Sequence, residues 1–349
     1  MFARVALGLL LQLVVVRTGL SAGSAGSDAP GDDPRREFVE PHMGTLFRIV
    51  LYAPTGADGA AAARAAFLRI GELDRLLSDY HPESEAMRLS QEPVDTAVPV
   101  SEDLFALLQR SQVLAAATDG AFDVTLGRLT QLWRASRRTG SLPGPEALAS
   151  ARQASGHTLL RLDPAGRTVA FLRPGLRLDF GGIAKGYAAQ AALAVLARHG
   201  ITQALVAASG DLALGDPPPG RSGWSVDLAP FGPSSGPSHR LVLARVGVST
   251  SGDTEQSLTI NGVRYSHLID PATGLGLTRA AAVTVVAPGA ALSDALATAC
   301  SVLDPTRLPG LVAGWPEPVH VILHQRQPDG TIQVATFGPP LPLSGFPTP

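Results

Sequence analysis

Leu178-Asp179-Phe180-Gly181-Gly182-Ile183-Ala184-Lys185-Gly186-Tyr187 holds the only lysine among 28 basic residues, the other 27 being arginines. A chain so biased toward arginine treats the two cations as interchangeable wherever a solvated positive charge is enough. A solitary lysine therefore marks a position that needs a compact ammonium and cannot take a planar fork. Leu176 and Leu178 give a strand-like entry, the glycine pair lets backbone approach a ligand, and Ala184 to Leu196 carries apolar residues at helical spacing. A loop feeding a helix N-terminus presents free N–H groups and the positive end of the helix dipole, which suits an anion, usually a phosphate. The same pattern also fits a tight strand-to-helix turn with an incidental lysine, and a short Gly-rich match does not decide between the two.

Outward from this stretch, strands and helices segregate. On the N-terminal side, Phe38 to Tyr52 alternates as a strand with a break at His42-Met43-Gly44-Thr45. Ala57 to Leu77 and Ser101 to Thr118 have helical spacing, the second capped by Ser101 with Asp103 in its first turn. Ser84-Glu85 reads as a capped short turn, and Leu159 to Leu172 as a hairpin about Asp163-Pro164-Ala165-Gly166. On the C-terminal side strands dominate: Ala204 to Ala208, Trp224 to Leu228, Leu241 to Val248, Val263 to Ile269 and Ala281 to Val286. A helix over Ala290 to Leu303 and strands over His320 to His324 and Thr331 to Thr336 close the chain. No internal repeat is present, and this order fits an α+β fold better than βαβ alternation.

Composition limits the function. With 349 residues and 45% hydrophobic composition the chain can bury a large core. Its 28 basic and 30 acidic residues give a net charge of -2; without residues 1–22, which carry Arg4 and Arg17, the balance is 26 against 30, or -4. No polyanion-binding surface follows from that balance, so nucleic acid is not an expected partner. A single cysteine, Cys300, rules out an internal disulfide and leaves no cysteine for an N-terminal lipid; in its apolar run it reads as a buried thiol.

Arg4 followed by the twelve mostly apolar residues Val5 to Val16 and small residues up to Ala22 or Ala25 has the pattern of a secretory signal, so export to the periplasm is expected. Arg17, directly after the apolar run, also keeps an uncleaved inner-membrane anchor open. The expected organisation is residues 1–22 as signal or anchor, 23–36 as a flexible linker, 37–338 as one domain and 339–349 as a loose Pro-rich tail.

Two further segments carry candidate chemistry. Asp294 and Thr298 lie four apart on one face of an otherwise apolar helix, which suits either a hard cation such as magnesium or a capping and core-bonded role. Val248 to Asp253, including Thr250, and Tyr265 to Gly274 bring hydroxyls, carboxylates and His267 to strand ends, where the histidine reads equally as structural or catalytic.

Taken together, eight segments in order over about 260 residues resemble the FAD:protein FMN transferase family, the ApbE family: Met43-Gly44-Thr45; Ser78-Asp79-Tyr80 with Ser84-Glu85; Gly120 to Asp123; Asp179 to Tyr187; Gly210-Asp211; Thr250 to Asp253; His267 to Gly274; Asp294 to Thr298. The resemblance implies a two-lobed fold of mixed and antiparallel sheets with packed helices and a flavin site in the cleft. It also implies an exported enzyme that cleaves FAD and transfers FMN through its phosphate to a Ser or Thr hydroxyl of a partner flavoprotein, releasing AMP. By the same likeness the Ala184 carbonyl, Asp294 and Thr298 hold Mg2+. Met43, Tyr80, Ala121, Phe122, Asp123, Gly181, Tyr187, Thr250 and Leu268 line the flavin nucleotide, and His267, Lys185 and Asp253 form the catalytic set. Four positions depart from the family pattern: Val124 for Pro, Ser209 for the first glycine before Asp211, Gln190 for Asp and Ser90 for Asn. Two other activities share such a pocket: FAD storage without turnover, and a magnesium-dependent FAD pyrophosphatase giving FMN and AMP.

Overall fold

The computed structural model describes residues 35–231, 239–252, 257–327, 329–341 and 343–344; the N-terminal apolar run, most of the linker, the end of the tail and Asp253 lie outside them. The centre is an eight-stranded sheet, antiparallel at every pairing. Its spatial order is Arg35–His42, Thr45–Tyr52, Ala204–Ala208, Asp211–Leu214, Gly247–Gly252, Ala281–Ala287, His320–Arg326 and Ile332–Phe337.

The central strands are apolar on both faces because both faces are covered. Phe47, Ile49, Leu51, Val206, Val283 and Val285 point into one core with the helices Gly59–Leu77, Ala184–Arg198 and Ala290–Val302. The alternate residues Val50, Leu205, Leu212, Val248 and Val286 point the other way, against Trp224, Val226 and Leu241 of a three-stranded sheet. The period-two alternation of the strands thus builds both layers, and the α+β reading from sequence holds. Four more helices, Glu85–Leu89, Glu102–Ala117, Gly127–Thr139 and Pro145–Gln153, and a second three-stranded sheet of Val98–Pro99, Leu160–Asp163 and Thr168–Phe171 lie in the part of the chain before the solitary lysine. Among the described residues no helix is long and apolar enough to cross a membrane.

Two strands read from the sequence are each divided. Phe38 to Tyr52 is a hairpin whose turn residues Met43 and Gly44 have φ of 49° and 71°; two successive left-handed residues reverse the chain where alternation alone predicts a kink. Leu241 to Val248 breaks at Arg245, φ 57°, so that His239–Leu243 joins the small sheet and Gly247–Gly252 the large one. Val263 to Ile269 keeps regular strand geometry only over Val263–Tyr265.

The helices Ala184–Arg198 and Ala290–Val302 meet at Gly186. A Cβ there would lie 2.1 Å from the Ala290 carbonyl oxygen and 2.8 Å from Asp294 Cβ, so only glycine allows this approach. Gln190, one helical turn further on, accepts the Ala291 N–H at 3.3 Å and covers a helix start whose cap residue, Gly289, offers no side chain. Cys300 is buried, and burial pushes its thiol up to about 12, in line with a core thiol.

Candidate active site

The Gly186 contact sets the geometry of the site. It brings the first turn of the Lys185 helix against the side of the helix that carries Asp294, and Asp294 Oδ2 accepts the Gly186 N–H at 2.9 Å. The helix N-terminus is an anion site, as its sequence suggests, but in the first turn the anion is a carboxylate of the chain itself.

Lys185 Nζ lies 3.1 Å from Asp211 Oδ2 and 3.7 Å from Asp294 Oδ2, and it donates to the Gly181 carbonyl at 3.1 Å. Burial alone would lower the lysine pKa; the two carboxylates outweigh it, and the ammonium is held well above its ordinary range. Asp294 is pushed up to about 7, first by burial and then by the like charge of Asp211, with Lys185 pulling the other way. When both are ionised, two buried carboxylates facing one ammonium leave one negative charge uncompensated, an arrangement suited to a cation. Among the described residues no group of three or more His, Cys, Asp or Glu is placed to hold a metal, so further ligands would be hydroxyl, carbonyl or water oxygens. Thr298 and Ala184 stand at the same place: a Cβ on Gly182 would be 3.0 Å from Thr298 Oγ1, and both residues line the cleft with Asp294.

That cleft has a volume of about 910 Å³. It is walled by Met43, Tyr80, Ala121, Phe122, Asp123, Gly181, Thr250, His267 and Leu268, together with Ala184, Lys185, Asp294 and Thr298. Segments distant in the chain are each fixed there by a local device. Met43 donates its backbone N–H to Asp74 Oδ2 at 2.9 Å. Thr118 Oγ1 accepts the Phe122 N–H at 3.1 Å, and Asp123 Oδ1 accepts the N–H and hydroxyl of Thr125 at 2.8 and 2.6 Å. Burial raises the Asp123 carboxyl against these donors. The Thr250 hydroxyl shares a 2.8 Å hydrogen bond with that of Thr284. His267 and Leu268 are carried by an irregular hairpin, tied by Leu277 N–H to the Leu268 carbonyl at 2.8 Å and by Trp133 Nε1 to the Ser266 carbonyl at 2.9 Å. Gly274, φ 73°, ends its Asp270-Pro271-Ala272-Thr273 turn.

Tyr187 stands apart from this group. Two residues beyond Lys185 on the same helix, it projects to another side, where its hydroxyl donates to Asp103 Oδ1 at 3.1 Å and burial followed by the Asp103 charge pushes it up to about 12. Asp253 falls outside the described residues. Sequence reading missed Arg134, which enters the cleft between Asp79 and Asp179. Ser90, at the position where the family pattern has Asn, bonds back to the Ala86 carbonyl of its own helix at 3.2 Å.

The sequence model of the ApbE family matches residues 43–323. The FAD:protein FMN transferase of Treponema pallidum (strain Nichols) is 32% identical over 321 residues, 87% of this chain and 87% of that protein. The chain belongs to the ApbE family. A second relative, the FAD:protein FMN transferase of Vibrio cholerae, is 28% identical over 319 residues, 89% of this chain and 93% of that protein. Among solved structures, the apo flavinyl transferase ApbE of Pseudomonas stutzeri superposes with a TM-score of 0.75 at 28% identity, covering 87% of this chain and 94% of that one. The flavin transferase ApbE of Vibrio cholerae does so with 0.78 at 26% identity, covering 87% and 98%. The mixed fold of helices and antiparallel sheet is thus the fold of these ApbE structures.

Proposed function

We propose that this chain is an FAD:protein FMN transferase that works with Mg2+ and releases AMP. The observation that carries the reading is the charge arrangement of Asp211, Lys185 and Asp294 at the floor of a cleft large enough for a dinucleotide. The Asp294 carboxylate, the Thr298 hydroxyl and the Ala184 carbonyl would hold the metal, an all-oxygen set suited to magnesium. When bound, the ion neutralises charge on the pyrophosphate oxygens. The ammonium of Lys185, held protonated by its two carboxylates, adds a second positive charge beside the Gly181-Gly182 loop.

In the reaction the acceptor Ser or Thr oxygen forms a bond to the FMN phosphorus, and the bond from that phosphorus to the bridging oxygen breaks. AMP departs with the bridging oxygen, and the proton of the acceptor hydroxyl passes to a base, for which His267 on the cleft wall is the candidate. The nonpolar wall at Ala121 and Phe122 suits the planar part of the flavin. The apolar N-terminal segment supports an exported location, with the acceptor flavoprotein met outside the cytoplasm.

Metal binding and catalysis acquire a defined pH dependence. Magnesium requires ionised Asp294, whose carboxyl is pushed up to about 7 by burial and the Asp211 charge, above the ordinary carboxylate range. Apparent magnesium affinity, read by calorimetric titration of the metal alone, is expected to fall by about tenfold per pH unit below 7 and to level off above it. The metal-free fold has the opposite dependence: a raised carboxyl favours the folded state at low pH, and that contribution is lost as pH rises from about 4 to about 7. Affinity independent of pH from 5 to 8 would remove Asp294 from the ligand set.

Lys185→Arg is expected to lower turnover by about tenfold or more although charge is kept. The bulkier guanidinium cannot meet Asp211, Asp294 and the Gly181 carbonyl from the place of one ammonium. Steady-state AMP release compares the two proteins, and wild-type kinetics in the variant would show that charge alone matters.

A further inference from the structure

We infer that Arg134 is a positioning residue that fixes the Tyr80 ring as a stacking wall for one planar ring of the substrate. The inference rests on the reading of the cleft as an FAD site. The Arg134 guanidinium carbon lies 4.4 Å from the centroid of the Tyr80 ring. Its Nη1 bonds Asp79 Oδ2, and its Nη2 lies 3.6 Å from Asp179 Oδ2. The second oxygen of Asp179 accepts the Gly181 N–H at 2.7 Å, and Gly181 in turn accepts from Lys185. One planar cation thus covers a ring face while two carboxylates hold it in place, and one of these also holds the loop beside the lysine.

Tyr80 is 72% exposed, so nothing in its own packing fixes the ring. Tyr80 and Arg134 both line the cleft, and with the guanidinium against one face of the ring the opposite face is the one left for a ligand. An aromatic platform backed by a guanidinium takes a planar heteroaromatic ring by stacking. In FAD this is either the isoalloxazine or the adenine. The helix Gly127–Thr139 does not depend on Arg134 for its place, since it is anchored by the buried Leu129, Trp133 and Ser136.

The test uses the full chain as wild type, Arg134→Met and Arg134→Lys, each titrated with FMN by fluorescence quenching and with ADP by calorimetry, beside thermal unfolding. Arg134→Lys keeps a cation between Asp79 and Asp179 and so keeps the fold, but it lacks the planar face. Both variants are expected to lose about tenfold in affinity for one of the two ligands, the scale of one partly desolvated cation–π contact, and to bind the other as wild type does. The ligand that is lost identifies the stacked ring. Arg134→Lys is expected to melt with the wild type, and the loss in Tyr80→Leu is expected not to grow when Arg134→Met is added. Unchanged binding of both ligands, equal loss of both, full rescue by lysine, or additive losses with Tyr80→Leu would each overturn the inference. A wild-type chain that binds neither FMN nor ADP would instead overturn the FAD reading, and this inference with it.

Discussion

Asp294→Ala is expected to leave a folded protein whose magnesium-dependent release of AMP from FAD falls by about 10³-fold or more, the scale of several kcal/mol of charge stabilisation at the phosphates. Asp294 is the only charged member of the expected ligand set, and it sits on the side of a buried helix where no other carboxylate of that helix can replace it. The fold is expected to tolerate the change. At pH 8 the ionised carboxylate is buried at a cost, shown by a pKa pushed up to about 7, and its removal relieves that cost. Lys185 retains Asp211 at 3.1 Å. The Gly186 N–H loses its acceptor, a loss of about 1 kcal/mol set against the relief. Thermal unfolding at pH 8 should therefore stay within a few degrees of wild type while AMP release collapses. A folded variant with undiminished AMP release would show that the metal lies elsewhere or is not needed.

His267→Ala is expected to lower the rate of transfer by about 10² to 10⁴, the range of general-base catalysis, with FAD affinity near that of wild type. Its position supports a chemical role over a packing role. The hairpin that carries it is held through Ser266, Leu268 and Asp270, by backbone bonds that do not involve the imidazole, while His267 itself faces the cleft half-buried. Those bonds remain when the ring is removed. Flavin binding by fluorescence quenching, run beside transfer rate and thermal unfolding, separates the roles. Affinity and stability falling together with rate would make His267 structural, and full-speed transfer would remove it from the mechanism.

The parts of the site legible in the sequence were those where a local pattern coincides with the chemistry. The spacing of Asp294 and Thr298 places both on one helix face whatever the helix packs against. The lone lysine stands out by composition, without any knowledge of its partners. The parts that were not legible depend on what the fold brings together. Nothing in the run Arg128, Arg134, Arg137, Arg138 marks one arginine of the helix Gly127–Thr139 as special; Arg134 becomes so only because Asp79 and Asp179 arrive from elsewhere in the chain. Tyr187 was placed on the nucleotide by family likeness, but helical geometry turns it about 200° from Lys185 and toward Asp103. The anion-binding helix start was recognised, and its first-turn occupant was not, because the Gly186 N–H is met by a carboxylate 108 residues away. In the fold, the missed reversal at Met43-Gly44 and the break at Arg245 each turn on a left-handed non-glycine residue, Met43 and Arg245, a conformation that sequence rarely signals.

The central claim is transfer, as distinct from storage or hydrolysis. The most direct measurement incubates the full chain with FAD, magnesium and a polypeptide that carries a Ser or Thr flavinylation site, and counts AMP released against flavin bound covalently to the acceptor. The account predicts one AMP per acceptor-bound FMN and little free FMN. AMP accompanied by free FMN and no acceptor-bound flavin, or FAD bound with no AMP at all, would contradict it.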